Sequence, residues 1–509
     1  MSLSGATAKT VAPVTLSDAL LRIDELVAVA RRQATVDVSA SIRERMVAAR
    51  RVVEALALSD TPVYGLNTAL GANTGKALAA DDLAAYQARA VRARAVGVGP
   101  AYDNASVRAM LFARAGGLRM GGSGASPAVL DGLVAFLNRH VHPRVPRWGS
   151  ISVADLPQLS SLALPLLGEG EAEFGGEVMP GAEALRRAGL VPLQLGPKDG
   201  LALVSANAAT IGRAALVLDE CRALLAQWLA VVGVSYEGFR ANLSPLDARA
   251  IAARAAPGQA AVADVLHAQL KGSALWQPGA ARRVQDPVSF RCVAQVHGAA
   301  AWLLGEAVAQ VEIELNSAAD SPLVCADDGV MLSNGNFHIP ALALAFDALA
   351  MALAQVTQMA VERTIKFMSP AFTGLPLQLT RHGPAHSGFA TSQKTLTALA
   401  NEVRLRANPA SLDFLPVSER VEDHAPMALA CVEKLGEAIE RARYVAAIEW
   451  VVAAQAFDLR ELDPLVMGQG ARAMHAALRK EVAMLDEDRA LGVDFERANA
   501  LLRDGAGAP

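Results

Sequence analysis

Six long helical stretches after Asp199 constrain the fold of this chain more than any other feature. Gly200–Val232, Ala260–Leu270, Val293–Glu314, Ile339–Ile365, Ser387–Ala407 and Ala425–Asp458 all carry helical periodicity. Several are longer than about 25 residues, above the usual globular range, and are apolar on most faces. Such helices need neighbours all round, so they belong in the middle of a bundle, often one shared between subunits. Ala and Leu fill these segments while aromatics make up only 5%, which favours close-packed helices over sheets. The expected fold is all-α, built on a long central helical bundle.

The remainder of the chain sets the limits. Apolar residues are 52% and charged residues 19%, enough for a large core and too apolar for disorder. A net charge of −4 with scattered basic residues points to no nucleic-acid or membrane-surface partner. Cys221, Cys292, Cys325 and Cys431 are far apart and form no Cys-x-x-Cys pair, which suits buried small hydrophobes in a reducing compartment. Met1 to Val14 has no long apolar run, so no secretory signal is expected. Ile339 to Val356 is interrupted by Asp347 and reads as a core helix, not a membrane span. The expectation is a cytoplasmic protein in three parts. These are a flexible tail over 1–14, a helical and loop-rich region over 15–199, and a helical bundle over 200–509.

Motifs narrow this further. Val63-Tyr64-Gly65-Leu66-Asn67-Thr68 sits in a Gly/Asn/Thr-rich loop. It is followed by Gly196-Pro197-Lys198-Asp199-Gly200-Leu201-Ala202-Leu203, by Val284-Gln285-Asp286-Pro287 with Arg291-Cys292, and by Glu314-Leu315-Asn316-Ser317 through Asp320. Gly335-Asn336-Phe337-His338 and Glu422-Asp423-His424 complete the set. Taken in order, these segments resemble the pattern of the histidine and phenylalanine ammonia-lyases.

That resemblance implies a fumarase/aspartase-like helical homotetramer whose active sites draw loops from three subunits. It implies Tyr64 as the base that removes the β-proton and Arg291 as the clamp on the substrate carboxylate, where a forked guanidinium suits a planar partner. Gln285, Phe337 and Glu422 would line the pocket, with Glu422 near the amino group. It also implies a methylidene-imidazolone group made from an internal Ala-Ser-Gly.

Here the chain departs from the pattern. The corresponding run is Gly149-Ser150-Ile151-Ser152-Val153-Ala154-Asp155-Leu156, one residue short. Cyclisation needs a glycine after the serine so that its nitrogen can approach a carbonyl, and Ile151 and Val153 obstruct that approach. X-Ser-Gly triplets at Ser4, Ser123 and Ser387 match other parts of the pattern. Three more changes fall in the same pocket: Ser205 for a supporting Asn, Val288 for a Tyr, and Arg94 for a substrate-reading His. No cofactor is therefore expected.

Each assignment has a structural rival. A phenol serves as a base only where cations or dipoles favour its ionised form, so Tyr64 can also be a packing residue. Arg291 has Asp286 as an internal partner. Asp423 and His424 read as the charged cap of a helix starting near Ala425, leaving Glu422 alone to face the pocket. His382 and His386 lack a third ligand at metal-site spacing, so no metal is expected. Gly71-Ala-Asn-Thr-Gly75-Lys76 is too short for a phosphate loop. Arg94 meets a second anionic or polar group of the ligand, or turns outward to solvent, or pairs with Asp81 or Asp82. Three functions remain open. One is elimination or isomerisation of a small amino acid or related carboxylate without the prosthetic group, the second a non-catalytic ligand-binding or scaffold homologue, the third conventional ammonia release.

Overall fold

A computed structural model describes residues 12–69, 76–78, 83–412 and 414–505, with the backbone alone given at 83 and 84. Residues 1–11 of the expected tail, Ser4, Gly71 to Gly75, Asp81 and Asp82 lie outside the described residues. Helices dominate, and the only strands described are two to four residues long. The chain divides into two compact units.

The first unit takes the described part of Met1–Val217 with Val308–Leu344 and Ala410–Val432. Val14–Leu16 pairs in parallel with Val36–Val38, so the last part of the expected tail is a strand. Helix Asn104–Leu118 is buried along almost its whole length and is capped by Asp103, whose side chain accepts from Ser106 N at 2.7 Å. From its middle, Arg108 donates to Val29 O at 2.9 Å and Leu137 O at 2.8 Å, tying the helix to the chain on both sides. Within the region expected to be loop-rich, the Gly- and Pro-rich stretch 143–197 is more regular than its composition suggests. It holds helices Leu156–Ala163 and Gly181–Ala188 and most of a three-stranded sheet. Its Gly and Pro residues punctuate short elements, which periodicity over long windows misses.

The expected helix Gly200–Val232 is in fact two, Asp199–Val204 and Ala208–Phe239. Between them the Ala206 carbonyl accepts from Asp155 N at 2.7 Å and the Asn207 side chain donates to Phe337 O at 2.5 Å. Polar groups that find partners outside the helix have no need of its ladder. The break falls at Ser205.

The second unit takes Leu218–Ala307, Ala345–Pro409 and Glu433–Pro509. Phe239 stacks on Phe290 with ring centres 3.8 Å apart, and Phe367 meets both edge-on. A fully buried ion pair joins Arg363 Nε to Glu449 Oε1 at 2.7 Å, and Trp228 Nε1 and Ser235 Oγ donate to the same carboxylate. With those donors in place, a charge pair in the core is tolerated. Helix Ser392–Arg406 starts later than expected: Ser387 N and Gly388 N donate to the Asp488 carboxylate at 2.7 and 2.9 Å, and Gly388 takes φ +52°. Helix Ala428–Asp458 likewise starts after Pro426 and a left-handed Met427, not at Ala425. Residues 422–424 therefore do not cap it.

Among the described residues two helical stretches are long and apolar enough to cross a membrane by length and composition. Asp199–Phe239 is 89% buried over its most apolar window, as a core helix is, and Pro340–Phe367 is 50% buried. Along the latter, Leu344 and Met351 are exposed. Cys221 and Cys431 are buried as expected, whereas Cys292 and Cys325 are half-buried, and no disulfide joins any of the four.

Candidate active site

A cavity of about 1010 Å³ opens in the first unit, lined by Tyr64, Arg94, Val153, Ala154, Ser205, Phe337, His338 and residues 421–424, among others. Tyr64 reaches it from a tight turn. Val63 and Leu66 on either side bury against Val52, Val53 and Val324, which leaves Tyr64 itself 38% exposed. Asn67 holds the turn through Oδ1, which accepts from Val63 N at 2.7 Å, and through Nδ2, which donates to Thr61 O at 2.8 Å. Gly65 takes φ +68°, a conformation glycine adopts at little cost.

Arg94 follows helix Leu83–Arg92, which packs on Asp199–Val204 through Ala90 and Leu201. Its guanidinium donates to Ala90 O at 2.9 Å, and among the described residues it pairs with no carboxylate. Ser205 ends helix Asp199–Val204 and lines the cavity from the helix break.

The segment 149–156 is held by ordinary hydrogen bonds. Asp155 is fully buried, and its carboxylate accepts from Ser150 Oγ at 2.6 Å, Thr210 N at 2.7 Å and Thr210 Oγ1 at 2.9 Å. Burial pushes the Asp155 pKa up against these hydrogen bonds, which pull it down. Ser150 Oγ accepts from Ser152 N, and Ser152 Oγ accepts from Leu429 N at 2.9 Å. Ser152 and Ala154 adopt φ +62° and +59°, strained for residues with a Cβ. Val153 and Ala154, in place of the cyclising residues, form the cavity wall. These residues do not fit the precursor of a methylidene-imidazolone group: neither serine precedes a glycine, and both hydroxyls are engaged in the fold.

The part of the lining made by residues 421–424 and His338 was only partly expected from the sequence. Glu422 lines the cavity as expected and accepts from Ser418 Oγ at 2.8 Å. Asp423 and His424 line it too, contrary to their reading as a helix cap. His424 Nδ1 lies 2.8 Å from His338 Nε2, so the two rings share one hydrogen bond. Burial, and then His424, lower the His338 pKa. His338 stands directly after Phe337 in a motif already noted; its sequence neighbour drew the attention.

Gln285, Val288 and Arg291 belong to the second unit and do not line this cavity. Val288 is 57% exposed. The Gln285 amide oxygen, turned toward Arg291, accepts from Nη2 at 3.3 Å. Asp286, the rival partner, accepts instead from Asn242 N at 2.6 Å. His382 and His386 face Asp486 and Glu487 at 3.0 and 2.9 Å, acids distant in sequence. Among the described residues no group of three or more His, Cys, Asp or Glu could hold a metal ion.

Residues 21–480 match the family model for aromatic amino acid lyases. The chain belongs to the aromatic amino acid lyase family. Histidine ammonia-lyase of Sorangium cellulosum is 40% identical over 497 residues, 96% of each chain. That of Symbiobacterium thermophilum is 39% identical over 95% of this chain and 96% of the relative. Among solved structures, the ergothioneine-degrading enzyme ergothionase of Treponema denticola, in complex with desmethyl-ergothioneine sulfonic acid, superposes with a TM-score of 0.94. It is 33% identical, over 97% of this chain and 99% of that one. Histidine ammonia-lyase of Trypanosoma cruzi gives 0.89 at 29% identity, over 97% and 94%. For this lyase, the likeness agrees with the all-helical bundle expected from its long apolar helices.

Proposed function

We propose that this family member eliminates a substituted amine from a histidine-like carboxylate without a methylidene-imidazolone group. The observation that carries the reading is the segment 149–156, where Ser150 and Ser152 precede Ile151 and Val153 and their hydroxyls bind Asp155 and Leu429 N. Without an electron sink, the β-proton of an ordinary amino acid is hard to remove. A permanently cationic, fully alkylated nitrogen changes the balance, because it leaves as a neutral amine with no proton transfer. Ergothioneine, which the Treponema relative degrades, carries a nitrogen of that kind.

In this scheme Tyr64 takes the β-proton as phenolate. The C–H electron pair forms the α,β double bond, and the C–N pair leaves with the tertiary amine. Arg291 holds the carboxylate, with Gln285 and Val288 beside it. Glu422 faces the cationic nitrogen. Arg94 meets a polar or anionic group at the far end of the substrate, where its planar donor fork fits best.

Because Arg291 does not line the Tyr64 cavity of its own chain, the proposal includes a cytoplasmic homotetramer in which a neighbouring copy supplies it. Exposed apolar residues on long helices support that assembly: Trp302 is 47% exposed, Ile313 55%, Leu344 56% and Met351 44%. Light scattering should give a tetramer; a stable monomer at micromolar concentration would sink the shared site.

The test of the chemistry mixes purified protein with ergothioneine or histidine and measures tertiary amine, ammonia and the conjugated product. Turnover of the betaine, no ammonia from histidine, phenylalanine or tyrosine, and an intact mass without loss of two waters are expected. Robust ammonia release together with that mass loss would overturn the reading.

A further inference from the structure

In the second unit four arginines gather around one short turn, and among the described residues no acid is paired to them. Successive carbonyls of Ala371, Phe372 and Thr373 accept from different side chains: Arg283 Nη2, Arg282 Nε at 3.1 Å and Arg460 Nη2 at 3.3 Å. The Arg282 guanidinium lies so close over Gly374 that a Cβ there would meet its Nη1 at 2.5 Å. Arg240 adjoins the group, its carbonyl accepting from Arg282 N at 3.0 Å while its guanidinium donates to Ala280 O at 2.8 and 3.1 Å. The crowding is electrostatic as well as steric. Burial, then Arg240 and Arg282, bring the Arg460 pKa down to about 10.

Counter-charge is missing. Among the described residues none of the four has a carboxylate within 4.0 Å. Asp286 feels Arg283 at longer range, and one of its oxygens is occupied by Asn242 N. Backbone carbonyls carry partial charges only, and each guanidinium has five N–H groups to place. Arg240 Nη1, both Nη atoms of Arg282 and Arg460 Nη1 donate to no described residue.

The rival explanation is helix capping. Arg460 Nε donates to Gly238 O at 2.7 Å, in the last turn of Ala208–Phe239, where a cation is favoured. That accounts for one contact of one arginine. It leaves the fork of Arg282 without a role.

We propose that Arg240, Arg282, Arg283 and Arg460 form a binding site for a small, multiply charged oxyanion of the phosphate class. Planar donor forks match the edges of a tetrahedral oxyanion, and a divalent anion offsets more of the charge than chloride does. None of these residues lines the Tyr64 cavity, and a phosphate titration reads the site without any turnover, so its failure and the failure of the elimination chemistry are told apart.

The test uses the full chain, dialysed free of phosphate and titrated with inorganic phosphate by calorimetry at constant ionic strength. Saturable binding is expected, weakened roughly tenfold or more in Arg282→Ala and partly recovered in Arg282→Lys. Because Arg282 is exposed, these variants keep the fold. Arg282→Glu should abolish the titration and raise the Tm in phosphate-free buffer by relieving repulsion. No phosphate binding by the unaltered protein, or equal binding by Arg282→Ala, would overturn the site. So would a lower Tm for Arg282→Glu, which would mean that the arginines are already neutralised.

Discussion

Two segments lining the same cavity, the Tyr64 turn and the stretch 149–156, stand in opposite relation to their family's pattern. The turn keeps the family pattern, and its polar residues serve to present one phenol: Asn67 and Thr68 fold the backbone while Val63 and Leu66 anchor it. The other stretch keeps its anchor, Asp155, but its serines now serve the fold. On the proposed reading the base at Tyr64 carries more of the reaction, and the old precursor segment serves only as scaffold. The contrast therefore predicts that substitutions in the two segments separate activity from stability.

The largest effect should come from Tyr64→Phe. Removal of a general base lowers turnover of the betaine by about 10²–10⁴-fold. The turn itself is held by Asn67, Val63 and Leu66, so the variant should stay folded, as a cooperative thermal transition would show. Activity within tenfold of the unaltered protein would end the assignment of Tyr64 as base.

Next come the two arginines. Arg291→Ala should weaken binding of any carboxylate substrate analogue by about 2–5 kcal/mol, the range for truncating one partner of a buried charge pair. Arg94→Ala should cost a similar amount for a dianionic analogue and little for a monoanionic one. Calorimetry with both classes separates them. Unchanged affinity of the dianion for Arg94→Ala would make Arg94 a structural residue.

How far the sequence carried differs between the same kinds of feature. Long apolar helices announced the bundle because they must be surrounded, and the motifs placed Tyr64, Arg94, Ser205, Phe337 and Glu422 on one cavity. The break at Ser205 was hidden, since it depends on partners at Asp155 and Phe337 that are distant in sequence. For the same reason the His338–His424 contact, 86 residues apart, had no local signal. The cluster of Arg240, Arg282 and Arg460 joins three remote stretches and was equally invisible.

Away from the cavity, acid should weaken the fold. His297 is fully buried beside Trp228, and burial, then Arg363, bring its pKa down to about 3. Below pH ~6.5 the unfolded chain binds a proton at this ring while the folded chain does not, so stability falls as pH drops toward 3. The loss is about 2 kcal/mol at pH 5. His142, brought down to about 4 chiefly by burial, adds a loss of the same sign. His297→Gln should flatten the dependence of Tm on pH between about 6.5 and 5; an unchanged slope would mean that the ring is protonated in the folded state.

The smallest effect sharpens the opening comparison most. Ser152 is fully buried, and its hydroxyl accepts from Leu429 N, one of the first-turn donors of helix Ala428–Asp458 that have no partner within the helix. It thus caps that helix from a different part of the chain. Ser152→Ala removes the acceptor while keeping the strained φ of +62° tolerable to the same degree, since alanine and serine both carry a Cβ. Loss of a cap of this kind costs about 1 kcal/mol. A lower Tm with turnover of the betaine within about twofold of the unaltered protein is the expected result, the mirror image of Tyr64→Phe. If Ser152→Ala instead abolished turnover at full stability, the hydroxyl would be part of the chemistry, and the division of labour between the two segments would be wrong.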